Sequence, residues 1–211
     1  MDTLRFFNPY EEIRFTENIL PHWQQKGVAY FITFRLADSI PARLRTQWED
    51  ERDVWLRFHP EPWDVETELE YHKRFTGVIE RWLDAGYGSC ILRKSDCARI
   101  VDGALRHFDG ERFALISSVV MPNHVHALLV QNPEYPLEDL LRSSKTFSAK
   151  KINQLHGRSG ILWQRSYFDR LVRNEKHFRN CVRYIRRNPE KAHLITGEYV
   201  LYESAIASSI D

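Results

Sequence analysis

Two apolar runs near the middle of the chain, Phe113–Val120 and Ala127–Val130, restrict the fold more than any other feature. The strands they predict, Arg112–Met121 and His124–Gln131, are separated only by Pro122-Asn123. That gap is too short for a crossover connection, so the two strands form an antiparallel hairpin. The second strand begins His124-Val125-His126. Side chains alternate along a strand, so both imidazoles point to the same face. Two unpartnered imidazoles would be costly to bury among apolar neighbours. The pair therefore predicts a shared ligand or a substrate cleft, and neutral imidazoles are good ligands for divalent first-row metals.

Around this hairpin the chain alternates strands and helices. A first strand reads at Val28–Leu36, after Gly27. Pro41 opens a helix with Leu44, Trp48, Trp55 and Phe58 at helical spacing, and His59-Pro60-Glu61-Pro62 breaks it. A second helix, from about Asp64 to Asp84, is expected to bury Phe75, Ile79, Trp82 and Leu83, with Gly86 and Gly88 closing it. Residues 39–90 thus read as a helical insertion, acidic and rich in tryptophan. Ser95 is the expected N-cap of a helix running to His107, with Ala98, Val101, Leu105 and Phe108 facing a core.

Asp109-Gly110 is a turn signal before the hairpin. Beyond it Pro136 opens a helix over Leu137–His156, ended by Gly157 and Gly160. A fourth strand is expected over Leu162–Val172, and Asn174 caps a last helix from Glu175 to about Arg187. Residues 195–211 read as an acidic C-terminal tail. Without the insertion the order is strand, helix, strand, strand, helix, strand, helix. That is an α+β pattern of the ferredoxin-like, split βαβ kind with an antiparallel sheet, in a single domain over residues 1–211.

Hydrophobic residues make up 43% of the 211 positions, with six Trp and twelve Phe, which is ample for a packed core. Three cysteines (Cys90, Cys97 and Cys181) form no C-x-x-C, which argues against a disulfide framework or a zinc ribbon and fits a reducing cytoplasm. No signal-peptide pattern and no spanning apolar run is visible, so a soluble cytoplasmic protein is expected. The net charge of +1 hides strong sorting: Arg142–Lys191 holds 14 Lys+Arg against 3 Asp+Glu, or +11. Such a block is the footprint of a polyanion-binding surface.

That basic block contains the predicted last helix. At 100° per residue Phe178, Cys181, Val182 and Ile185 form its buried stripe, and Tyr184 lies off the stripe beside Asn180, Arg187, Asn188 and Lys191. A phenol with a pKa near ~10 is a poor nucleophile at neutral pH. It becomes useful where nearby cations favour the phenolate and a metal polarises the target phosphate. Asn188 follows Tyr184 by one helical turn, which offers an amide oxygen to the same metal. Pro189 competes with this, because the residue before proline avoids the α region. The helix ends or kinks at Asn188, or Asn188 caps a short turn beginning at Pro189.

Met121-Pro122-Asn123-His124-Val125-His126 resembles the histidine–hydrophobic–histidine (HUH) motif of single-tyrosine transposases. Trp163-Gln164-Arg165-Ser166-Tyr167-Phe168-Asp169-Arg170, then Tyr184-Ile185 and Asn188-Pro189-Glu190-Lys191-Ala192, resemble the branch called REP-associated tyrosine transposases. The resemblance spans about residues 25–195 and implies an HUH fold that cuts and rejoins single-stranded DNA next to a hairpin. It implies His124 and His126 as metal ligands, Asn188 as the third, and Tyr184 as a nucleophile forming a 5′-phosphotyrosine. Asp169 is a fallback ligand.

The implied metal is Mg²⁺ or Mn²⁺, and a mixed nitrogen and oxygen donor set leans toward Mn²⁺. Lys145, Lys150, Lys151, Arg173, Arg179, Arg183, Arg186 and Arg187 are the expected phosphate neighbours, with Trp163 and Tyr167 available to stack bases. Monomer and homodimer both stay open, and the insertion is long for a minimal transposase. Two other readings use the same residues. A histidine-triad hydrolase would carry H-x-H-x-H, but Leu128 stands at the third position. A nucleic-acid-binding module without cleavage would not need Tyr184.

Overall fold

The computed structural model describes residues 4–17, 21–60 and 63–211. A short ladder, β1 (Arg14–Glu17) with β2 (Pro21–Gln24), precedes the main sheet. The chain enters that sheet at β3 (Ala29–Arg35) and leaves it for α1 (Ala42–Phe58), α2 (Val65–Tyr71), a π turn (His72–Thr76) and α3 (Gly77–Asp84). It continues through α4 (Ser95–Arg106), β4 (Phe113–Val120), β5 (His124–Gln131) and α5 (Leu137–Leu155). The last elements are β6 (Phe168–Leu171), α6 (Glu175–Lys191), β7 (Val200–Glu203) and α7 (Ala205–Ser208).

The sheet order is β6-β3-β5-β4-β7, and every neighbouring pair is antiparallel. With the edge strand β7 set aside, the strands stand fourth, first, third, second. That is the expected ferredoxin-like arrangement. One face of the sheet presents Tyr30, Ile32, Phe34, Val125, Ala127 and Leu129 to Val101 and Leu105 of α4 and Leu140 and Ile152 of α5. The other presents Phe31, Val119 and Leu128 to Phe178, Val182 and Ile185 of α6. Helices cover both faces, which is why β4 and β5 read as nearly continuous apolar runs rather than alternating ones.

Several local expectations change. Of the strand expected over Leu162–Val172 only Phe168–Leu171 forms a ladder, and Leu36 and Trp163 make a single bridge. Trp163 turns into the core instead, with Nε1 donating to Ser148 Oγ at 3.0 Å and its ring edge-on to Phe34. Ser95 is the first helical residue of α4, the boundary falls at Lys94, and no side chain caps the helix. In the insertion Phe75 and Leu83 are buried, Ile79 and Trp82 are half-buried, and Phe58 is 77% exposed. Trp55 gathers His59, Trp63, Tyr71 and Phe75 around itself, and that aromatic cluster leaves Phe58 outside.

Two corrections bear on the site. α6 runs through Pro189 to Lys191, with Ala192 N donating to Asn188 O at 3.0 Å. Proline costs one hydrogen bond there, in the last turn, where the helix is about to end anyway. Residues 195–211, read as a tail, hold β7 and α7. Arg186 fastens them, donating from Nε to Glu203 Oε1 at 2.9 Å and from its Nη atoms to the carbonyls of Ile210 and Ala207.

Candidate active site

The register of β3 and β5 sets Thr33 opposite His126 and Arg35 opposite His124. Directly opposed side chains share a face. All four groups therefore stand on the α6 side of the sheet, with the two histidines only 1% and 2% exposed. Burial pushes His124 down to about 3. Burial, then His124 and the Lys191 cation, hold His126 well below its ordinary value. Both imidazoles are neutral at ordinary pH, the state in which histidine binds metal.

Their Nε2 atoms lie 3.1 Å apart. Asn123 decides what the His124 atom can do. Its Nδ2 donates to the carbonyls of Leu83 and Tyr87, both at 3.2 Å, which turns Oδ1 toward His124 Nδ1 at 2.8 Å. An amide oxygen only accepts, so Nδ1 carries the proton and Nε2 keeps the lone pair. His126 Nδ1 lies 2.7 Å from Thr33 Oγ1. That hydroxyl can donate or accept, so it supports either His126 tautomer, including the one with a free Nε2 lone pair.

Asn188, on α6, is 1% exposed, and neither of its amide atoms reaches hydrogen-bond geometry with a partner among the described residues. Its side chain still approaches His124 and Tyr184 closely enough to bias both. An unsatisfied buried amide costs about 1–3 kcal/mol. Two imidazoles bound at right angles to one ion at about 2.1 Å would stand about 3 Å apart. The histidine spacing and the orphaned amide together fit a divalent cation with a mixed nitrogen and oxygen donor set.

Tyr184 completes the group. Its ring meets His126 edge-on at 5.2 Å and Phe31 at 5.6 Å between centroids. The expectation that cations promote its phenolate does not hold. Burial raises its pKa strongly, and the carboxylates of Glu80 and Asp84 raise it further. These acids come from α3, whose end an Asp84–Lys191 ion pair ties to the end of α6. The nearest lysine is committed to one of them, with Lys191 Nζ 2.8 Å from Asp84 Oδ2.

Asp169 is excluded as a metal ligand by register. It pairs with Ile32, whereas the histidine-face residues of β3 are Phe31, Thr33 and Arg35, so its side chain stands on the opposite face of the sheet.

Residues 91–188 match the family model described as transposase IS200 like, and they contain His124, His126, Tyr184 and Asn188. Over this segment, a little under half of the chain, the protein is similar to IS200-like transposases. Among solved structures, it is similar to a REP-associated tyrosine transposase bound to a REP hairpin: 18% identity, TM-score 0.47, covering 82% of this chain and 73% of that one. A second similar structure is a candidate transposase from Deinococcus radiodurans R1: 15% identity, TM-score 0.31, covering 88% and 98%. No curated protein sequence matches the chain.

In the structure the expected phosphate-binding cations scatter. Lys145, Lys150 and Lys151 lie on α5, behind the sheet from the histidines. Lys145 is partly buried and donates to the carbonyls of Gln164, Arg165 and Ser166. On α6, Arg179 pairs with Glu175, Arg183 donates to the carbonyl of Asp211, and Arg186 clamps the C-terminal segment. Arg173 and Arg187 are exposed at the two ends of the same region. No helix among the described residues is long and apolar enough to cross a membrane.

Asp96, Cys97 and His156 form a separate group on the α4–α5 side. There burial, then Asp96, pushes the Cys97 thiol up to about 11, and Sγ lies 3.0 Å from His156 Nε2.

The residues that sequence reading passed over are Thr33, Arg35, Glu80 and Asn123. Only Asn123 carried a signal, as the neighbour of the histidine pair. The others come from a strand and an insertion remote in the chain. A cavity of about 680 Å³ joins Thr33, Arg35 and Glu80, with His126 and Tyr184 on the strand side and Trp48 on the insertion side.

Proposed function

We propose that this protein is a transposase that cuts and rejoins single-stranded DNA beside a hairpin, through a 5′-phosphotyrosine on Tyr184. The observation that carries the reading is the convergence of the histidine pair, the orphaned Asn188 amide and the Tyr184 ring, with His126 and Tyr184 opening onto one cavity. The hairpin comes from the resemblance of the sequence motifs to REP-associated tyrosine transposases.

Tyr184 Oη attacks the phosphorus, and the P–O3′ bond breaks. The phenol proton passes to Glu80, the carboxylate facing the hydroxyl, and the departing O3′ takes up a proton from solvent. The products are a 5′-phosphotyrosine and a free 3′-hydroxyl, and attack by a 3′-hydroxyl on the same linkage rejoins strands. His124, His126 and Asn188 would hold Mn²⁺ or Mg²⁺, which supplies positive charge to polarise the phosphate oxygens. The buried aromatic wall of Phe31 fixes the ring and excludes water from it. We assign this work to the cytoplasm, to a single domain with residues 39–90 as an elaboration, and to a monomer or homodimer.

The test is incubation with labelled single-stranded DNA bearing a hairpin, in Mn²⁺. A covalent protein–DNA adduct is expected, and none from Tyr184→Phe. An adduct that survives this substitution removes Tyr184 as nucleophile. Tight binding without an adduct favours a binding module, and nucleoside monophosphate released from dinucleotides favours a histidine-triad hydrolase.

A further inference from the structure

The cavity beside the histidines contains a cation without a counter-charge. Arg35 stands on the histidine face, opposite His124. It is half-buried, donates from Nη1 to Ser39 Oγ at 3.1 Å, and has no carboxylate within ion-pair distance among the described residues. Arg45, from α1, lines the same cavity. Its own partner, Glu49, is 3.9 Å away at the surface, a long and weak pair. Burial first and then the Arg45 charge depress Arg35 to about 10, with Glu49 opposing from further off. Two guanidinium groups that repel each other at the edge of the site thus share only the distant Glu49 carboxylate.

The cavity also holds carboxylates, Glu49 and Asp53 beside the arginines and Glu80 toward Tyr184, so the anion's place is at the Arg35 end. Arg52 is held by Asp53 at 2.9 Å and lies over the Trp48 ring at 4.9 Å, leaving Arg35 and Arg45 as the under-neutralised pair. Arg170, on the histidine face of β6, has a buried Nε with no hydrogen-bond acceptor among the described residues. Planar guanidinium forks match phosphate oxygens, and a nearby indole offers a surface on which a base can stack. Of these positions only Arg170 lies in the +11 block that marked the chain as a polyanion binder.

We infer that Arg35 and Arg45 form a phosphate subsite for single-stranded nucleic acid beside the histidine pair, half of it supplied by the insertion. The subsite rests on the proposed nucleic-acid substrate but not on cleavage. It binds a phosphate of the strand in the cavity and delivers the chain to Tyr184, which makes the insertion part of the substrate site.

The experiment is a titration with a short oligothymidylate in chelator-containing buffer, repeated across salt concentrations. Each phosphate contact to a single strand contributes about 0.7 to the slope of log affinity against log salt. Arg35→Gln and Arg45→Gln should each lower the slope by about 0.7, and the double variant by about 1.4. Arg45 is 38% exposed on a surface helix, so its variant keeps the fold and decides the matter if Arg35→Gln does not fold. Unchanged slopes in variants that still bind overturn the subsite. Absence of binding by the wild type overturns the nucleic-acid reading with it. Loss of slope in a protein that forms no adduct supports the subsite and overturns only the cleavage chemistry.

Discussion

Asn123 holds His124 in a single tautomer. Its amide nitrogen is spent on the carbonyls of Leu83 and Tyr87, and its oxygen accepts from His124 Nδ1 at 2.8 Å. The end of the helical insertion is thereby tied to the candidate metal ligand. Loss of an outer hydrogen-bond partner typically costs about 10–100-fold in metal affinity. Asn123→Asp keeps an acceptor but sets a carboxylate against two carbonyls. Calorimetric titration with Mn²⁺ should show affinity reduced on that scale, and wild-type affinity would remove Asn123 from the site.

Glu80 and Asp84 oppose ionisation of Tyr184 from across the cavity. A negative neighbour disfavours the phenolate, so removing one must lower the phenol's pKa. In Glu80→Gln the ultraviolet signal of Tyr184 ionisation, isolated by subtracting a Tyr184→Phe background, should appear at lower pH than in the wild type. An unmoved or upward-shifted transition would show that Glu80 does not act on the phenol.

Lys145 gives a pH dependence of defined sign. Burial depresses it from 10.5 to about 8. Between these values the unfolded chain binds more protons than the folded one, so stability rises with pH. Wild type should therefore gain stability relative to Lys145→Met from about pH 8 to about pH 10.5. Denaturant midpoints measured across that range check it, and a falling difference would contradict the burial of a charged amine.

Gly88 has φ +87°, and a Cβ there would lie 2.4 Å from the carbonyl oxygen of Asp38. Backbone must move to admit it. Gly88→Ala should cost roughly 1–3 kcal/mol in chemical unfolding. It should also weaken Mn²⁺ binding, because the neighbouring Tyr87 carbonyl anchors Asn123. A variant as stable as the wild type would show that this loop shifts freely.

The elements that read correctly owe their clarity to local physics. β4 and β5 are apolar on both faces because helices cover both, and two residues between them allow only a hairpin. Asn174 caps α6 through the His177 amide at 2.9 Å, a contact within one turn. The same locality explains the failures. Trp163 sits in a run that looks extended, yet Ser148 of a distant helix holds its indole. β7 forms because β4 leaves an open edge, a fact invisible in Val200–Glu203.

The sequence by itself determined the ferredoxin-like strand order, the same-face histidine pair and the helix that carries Tyr184, since each follows from periodicity, turns and motif spacing within a short stretch. The tertiary structure decided what surrounds them. Pairing of β3 with β5 brought Thr33 and Arg35 to the histidines, pairing with β6 turned Asp169 away, and docking of α3 set Glu80 against the phenol. These are encounters between residues far apart in the chain, and packing alone selects them.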